Sequence, residues 1–253
     1  MKGIDELAKE YHGLLHYQVF NEEDLDYEWF EMQKPFLEEL SKIDHSAITV
    51  FDMHQRKHVF ASETFSSMFK IPQQVAISST SIDPFVHPQD RIILMELGIR
   101  ALRFQFKLSG EALMNYKVIN EYRLQIPKGD CIRVIEQHKA FKTDRSGKVW
   151  LALSMVDLSP NQSIHQSVLN QVINTQTGET FSWLQEEQDL SKLTKREVEV
   201  LSLVGQGLIS KEISDLLNIS IHTVNTHRQR ILEKMNANNT IEAIETAKRF
   251  GLS

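Results

Sequence analysis

The sequence predicts an α+β protein: N-terminal helices, a central antiparallel sheet with flanking helices, and a C-terminal all-α part of four helices. Three observations predict it. Apolar residues recur at helical spacing before residue 44 and again after Leu193. Between them, from Ser46, the pattern changes to the two-residue alternation of strands. Turn residues then cut that middle region into short strands and helices. The expected segments are 1–44, a helical extension; 45–160, the sheet domain; 161–188, a partly helical linker; and 189–253, the four-helix domain.

In the first segment, Ile4, Leu7, Tyr11 and Leu14 share one helical face. Trp29, Phe30, Phe36, Leu37 and Leu40 dominate the next helix, which Pro35 interrupts or begins. AITVFDM at 47–53 and HVFAS at 58–62 then read as a hairpin around HQRK. SETFSSMFKI at 62–71 is a short helix. Pro88 opens a longer one through Leu108 that buries Ile92, Ile93, Leu97, Leu102 and Phe106. Tyr116, Val118, Tyr122, Leu124 and Ile126 alternate with Lys117, Glu121, Arg123 and Gln125, so this strand is half buried. Turns at Lys128–Asp130 and Asp144–Gly147 lead into two further strands.

Two strands, helices and a three-strand meander form the element order of a PAS domain. VHPQDR before the long helix, EYRLQIPKGDCIRVIE and DRSGKVWLALSMVDLS resemble that family over residues 46–159. The resemblance implies a domain that senses a ligand or mediates dimerisation, and the fold does not choose between them. After it, Ile164, Val168 and Val172 at i, i+4, i+8 suit a connecting helix.

In the last segment, Thr194 and Glu197 form a capping box that starts a helix with Val198, Leu201, Val204 and Leu208 as its apolar positions. Gly205 and Gly207 end it. Ser210 caps a second helix that buries Ile213, Leu216 and Leu217, and Asn218 closes it. Ser220 caps a third helix at once, the spacing of a helix-turn-helix. On this third helix Val224, Ile231 and Met235 face the core. The opposite arc carries His222, Thr226, Gln229 and Glu233, flanked by Asn225 and Arg230. Such side chains suit the donor and acceptor pattern of the major groove. Arg228, Arg230 and Lys234 supply local positive charge for phosphates.

LTKREVEVL, GLISKEI and the IS-xx-TV-xx-H pattern at Ile219–His227 resemble the DNA-binding domain of LuxR-type transcription regulators. The resemblance implies that Thr223–Arg230 reads the groove, that the second helix with Ser210 and Lys211 touches phosphate, and that the fourth helix dimerises. On that helix Ile241, Ile244 and Ala247 are the candidates. The pattern departs from many members at Ile209, Ser210 and Asn225. Asn225 or Gln229 would favour adenine, where arginine or lysine reads guanine.

With 253 residues, 41% hydrophobic and 25% charged, the chain has material for two ordinary cores. No apolar run is long enough for a bilayer, and the N-terminus lacks the apolar segment of a signal peptide. A single cysteine, Cys131, fits a reducing cytoplasm. The net charge of −6 argues against non-specific coating of nucleic acid. From Glu186 onward nine Lys and Arg stand against ten Asp and Glu, a formal charge of −1. One such module should bind DNA weakly, so a homodimer on double-stranded DNA is expected.

Other chemistry is disfavoured. Asp52 ends an apolar strand, where a receiver domain keeps its phosphoacceptor, but no earlier strand supplies paired acids for Mg²⁺. His87 and His138 are candidate haem ligands without a second ligand signal, and Cys131 lacks the context of a flavin photoreceptor. There is no zinc spacing, phosphate loop or nucleophile triad. No cofactor, metal, membrane partner or enzyme activity is therefore expected. The function expected is a cytoplasmic bacterial transcription regulator whose PAS-like domain binds a small molecule or a protein. One rival is a non-catalytic adaptor, which a gel shift would expose. The other is a sigma-like factor, which needs an aromatic-rich helical region where residues 46–159 read as sheet.

Overall fold

The computed structural model describes residues 3–70, 72, 85–108, 110–126, 131–163, 166–185, 192–235, 237 and 239–249. They divide into two compact units, residues 1–180 and 181–253. No described helix is long and apolar enough to cross a membrane. The mixed α+β class expected from the sequence is what forms.

The N-terminal unit begins with α1 (Ile4–Tyr17) and α2 (Tyr27–Asp44). β1 (Ala47–Asp52), β2 (Lys57–Ala61) and α3 (Glu63–Phe69) follow. Then come α4 (Pro88–Gln105), the single turn α5 (Gly110–Leu113), β3 (Tyr116–Gln125), β4 (Cys131–Thr143) and β5 (Val149–Leu158). β6 (Leu169–Asn174) and β7 (Thr180–Phe181) complete a seven-stranded sheet of order β2-β1-β5-β4-β3-β6-β7. The first five strands in that row are the two-strand hairpin and the three-strand meander expected from the sequence.

The connecting helix expected over Ile164, Val168 and Val172 is not formed. Ile164 lies outside the described residues. Val168 and Val172 are buried from a strand in which Leu169 and Gln171 point outward, and β6 pairs antiparallel with β3 from Glu121↔Leu169 to Tyr116↔Asn174. An i, i+4 repeat is common to both periods, since four residues nearly complete a helical turn and are an even number of strand steps. The intervening Asn170, also buried, marks the two-residue period.

Three smaller corrections concern helices. Pro35 neither starts nor breaks α2; it lies inside it, and Asp26 caps the helix by accepting from Trp29 N at 2.9 Å. Phe36 is 61% exposed instead of packed. On α4, Ile92 and Ile93 are only half buried, while Leu97, Ile99 and Leu102 carry the inner face.

α2 is fastened to the sheet by chemistry as well as packing. The Tyr27 hydroxyl donates to Asp52 Oδ2 at 2.9 Å and its ring meets Trp150 edge-on at 5.0 Å. Asp52 is fully buried and also accepts from Trp150 Nε1, His54 N and Gln55 N. That is a structural turn-and-anchor role. α1 packs on α4 where Gly98 leaves room: a Cβ there would lie 3.2 Å from Tyr11 Cε2.

The C-terminal unit contains α6 (Lys195–Gly205), α7 (Ser210–Leu217), α8 (Ile221–Lys234) and α9 (Thr240–Arg249). Val200, Leu201, Val204, Ile213, Val224, Ile231 and Met235 form its core with Ala243 and Ala247. Val200, not the expected Val198, is the fully buried valine of α6, and Leu216 is 63% exposed instead of buried.

Candidate nucleic-acid interface and ligand cavity

The geometry of α7 and α8 follows from their caps. Ser210 is the first residue inside α7, not its cap; Ile209 holds that place, its N–H donating to Glu212 Oε2 at 2.9 Å. Asn218 ends α7 in the left-handed region at φ 51°, ψ 45°, as expected for a residue that tolerates it. Ser220 then caps α8 by accepting from Thr223 N at 3.1 Å. Two residues therefore separate one helix end from the next cap, and the turn fixes the angle at which α8 is presented.

On α8, Val224 and Ile231 are buried. His222, Asn225, Gln229 and Arg230 are exposed on the outside, with Thr223, Thr226 and Arg228 half buried at its edges. The Thr226 hydroxyl donates to His222 O at 3.0 Å, which leaves its oxygen as an acceptor. Gln229 Nε2 donates to exposed Glu233 at 3.1 Å. Lys211 stands exposed on the first turn of α7.

Two expected phosphate contacts have other partners. Lys234 Nζ lies 2.7 Å from Glu197 Oε2, whose side chain is only 2% exposed. Burial opposes the charge of that carboxyl, but donation from Lys234 and from Thr194 holds it below the usual range. Lys234 is thus an internal staple between α8 and α6. Arg228 Nη1 reaches back to Ser210 Oγ at 3.4 Å. Of the expected dimerisation residues on α9, Ile241 is 69% exposed, but Ala247 is 3% exposed and Ile244 packs on the same core. The apolar face of α9 is mostly spent inside its own module.

A second candidate site lies within the N-terminal unit. A cavity of about 240 Å³ opens between α4 and the inner face of the sheet. Glu136 on β4 is its polar hub. Its Oε1 accepts from the Ser154 hydroxyl at 2.6 Å, and its Oε2 accepts from the Tyr122 hydroxyl at 2.8 Å. His138 Nε2 lies 3.2 Å from Oε2. Burial alone would raise the Glu136 carboxyl; the His138 charge and these three donors outweigh it and pull the carboxyl down to about 2. The same pairing raises His138 against the opposing effect of burial. Because 42% of the His138 side chain meets solvent, water screens its half of the pair.

His87 caps α4, Nδ1 accepting from Gln89 N at 3.3 Å. Cys131 is half buried, and burial pushes its thiol up despite the nearby Arg123. Sequence reasoning named His138 and several apolar lining residues, Leu97, Leu102, Val118 and Tyr122 among them, but did not bring them together and did not single out Glu136, Ser154 or Gln105. Glu136 and Gln105 come from a strand and a helix far apart in sequence, and no local spacing links them.

Residues 191–247 match the family model described as bacterial regulatory proteins, luxR family. The C-terminal domain is a luxR-family domain. Over 64 residues it is 42% identical to the virulence-factor transcription regulator BvgA of Bordetella pertussis, which covers 25% of this chain and 31% of that protein. It is 44% identical over 62 residues to the response regulatory protein YgeK of Escherichia coli strain K12, covering 24% of this chain and 42% of that protein. The chain thus spans less than half the length of these curated relatives. Among solved structures, the VqmA dimer of Vibrio cholerae covers 82% of this chain and 83% of its own, at 17% identity and a TM-score of 0.32. A PAS domain from Colwellia psychrerythraea covers 46% of this chain and 86% of its own, at 17% identity and a TM-score of 0.36.

Proposed function

We propose that the chain is a cytoplasmic DNA-binding transcription regulator, with the luxR-family module as reader and the PAS-like domain as sensor or dimerisation unit. The observation that carries this is the outer face of α8. His222, Asn225, Gln229 and Arg230 project from a helix whose other side is locked in a core, directly after a two-residue turn. A short helix with that face suits the major groove, where base edges show distinct donors and acceptors. Arg230 and Lys211, which make no ion pair among the described residues, are left to meet phosphate.

With a formal charge of −1 over the last 68 residues, one module has few phosphate contacts, which supports a homodimer on paired half-sites. The cavity beneath α4 supports the sensor half of the reading, since ligand sites are concave and mostly apolar with a few placed polar groups. No residue is assigned a catalytic role.

Fragments of the source genome captured by the full chain supply the operator. On that site Gln229→Ala should cost about 1–3 kcal/mol and relax one base position. Arg230→Ala should weaken all sequences alike and lower the salt slope by about one unit. Equal, sequence-independent losses from both variants would sink the reading of α8.

A further inference from the structure

We infer that Glu233 is a positioning residue for base reading: its carboxylate fixes which end of the Gln229 amide α8 presents, and so selects adenine over guanine at one position. The inference rests on the reading of α8 as the groove helix and adds a residue through which Gln229 acts.

The chemistry of one bond carries the assignment. A glutamine amide can turn either its carbonyl or its NH₂ outward, and untethered it meets a donor or an acceptor on a base. A carboxylate only accepts. The amide end 3.1 Å from Glu233 Oε1 is therefore the NH₂ of Gln229, one helical turn back on the same exposed face. Lys234, next in sequence, is turned to Glu197. Among the described residues no cation pairs with Glu233, so its carboxylate is left to Gln229.

Thr226 works in the same direction. Its hydroxyl donates along the helix to His222 O at 3.0 Å. Both bonds spend donors within α8 and leave acceptors facing out: the Thr226 hydroxyl oxygen and Gln229 Oε1, the latter with one amide hydrogen still free. Asn225 has no such tether among the described residues and can turn either end outward.

In the major groove adenine shows its N6 amino donor beside the N7 acceptor, which match Gln229 Oε1 and that remaining hydrogen. Guanine shows two acceptors, N7 and O6, on the same edge. To serve both, the amide must turn over, which sets its carbonyl against the Glu233 carboxylate with no proton between them.

The test uses the full chain on the captured operator. The base pair whose preference Gln229→Ala relaxes is varied through all four bases in otherwise identical duplexes. Competition binding is then measured for the parent, Glu233→Asp and Glu233→Gln. Aspartate keeps a carboxylate at a spacing that also bonds glutamine. The isosteric glutamine can offer either end of its own amide, so it no longer dictates how Gln229 turns. The parent and Glu233→Asp should prefer adenine to guanine by about tenfold or more. Glu233→Gln should lower that ratio about fivefold, the worth of one hydrogen bond. Loss of a negative charge should also tighten its binding, but alike for all four bases. Three results would overturn the role of Glu233 while leaving α8 as the reader: equal ratios in the parent and Glu233→Gln, a preference that Glu233→Asp loses as well, or a parent that prefers guanine. Failure of Gln229→Ala to relax any position would overturn both readings.

Discussion

Both halves of the molecule bury a glutamate, and the two are used in opposite ways. Glu197 is set into an otherwise aliphatic core, tied to Thr194 on its own helix and to Lys234 on α8. Its effect is to fix how α8 is held. Glu136 sits among Tyr122, Ser154 and His138 on the wall of an open cavity. The C-terminal module keeps its interior closed and its recognition chemistry outside, on α8. The N-terminal domain keeps polar chemistry inside, where a molecule small enough to enter meets it. That division fits the proposed pairing of a sensor with a reader, and each half can be broken separately.

The largest expected effect is in the N-terminal domain, at Arg133. Its side chain is fully buried, pairs with Glu121 at 3.0 Å and donates to Gln166 O at 2.6 Å and Ser167 O. These bonds hold the chain just before β6 against β4. Arg133→Ala leaves Glu121 and two carbonyls short of their donor and should cost about 3–5 kcal/mol. Urea unfolding should show the early loss of one transition, while that of the C-terminal module is unchanged. A loss below about 1 kcal/mol would show that β6 is held by its ladder with β3 alone.

This contrast also explains what the sequence made legible. The C-terminal module is specified by neighbours within four residues: the Thr194–Glu197 capping box, Asn218 and the Ser220 cap all formed. Of its misread residues, Leu216 and Ser210 are each off by one helical position and Val198 by two. In the sheet domain the strands announced themselves by alternation, but their partners did not. β6 was hidden because Val168 and Val172 fit either period, and it pairs with a strand about fifty residues earlier. The cavity was hidden for the same reason: Gln105, Glu136 and Ser154 meet only through tertiary packing. The partner of Lys234, Glu197, likewise lies 37 residues back.

That pairing gives the next test. If Lys234 is a staple, Lys234→Ala should destabilise the C-terminal module by about 1–3 kcal/mol, since a nearly enclosed carboxylate loses a charged donor. DNA binding by the folded variant should keep its salt slope, in contrast to Arg230→Ala. A salt slope lowered by about one unit with unchanged melting would restore Lys234 to the phosphate contacts.

A smaller and more conditional effect comes from pH acting on the N-terminal pair. The Glu136 carboxyl falls from an ordinary 4.5 to about 2 on folding, so its stabilisation is present above 4.5 and is lost as pH drops from there towards 2. His138 is raised, so its share is complete below its ordinary 6.5 and is lost as pH rises through the folded value. The pair therefore contributes most between about pH 4.5 and 6.5. Glu136→Gln keeps the outline of the side chain and removes the titration. Its melting temperature should fall most near pH 5.5, and the gap from the parent should narrow below pH 4. A gap that is constant across that range would mean that the hydrogen bonds, not the charges, hold this wall of the cavity.

The smallest expected effect is on α9. Ala247 and Ile244 are committed to the core of the module, which leaves Ile241, 69% exposed, as the apolar residue α9 can offer a second copy. Fully burying such a side chain is worth about 1.5–3 kcal/mol, and a contact at the rim of a small interface yields only part of that. Ile241→Ser should therefore lower cooperative binding to paired half-sites by a few-fold, seen as a weaker second shift on a gel. The melting of the module should hardly move, because the residue supports no packing at home. Binding to a single half-site should also be unchanged, as α8 is untouched. A loss of a hundredfold or more would make α9 the main contact between copies, and no loss at all would leave that contact to the N-terminal unit.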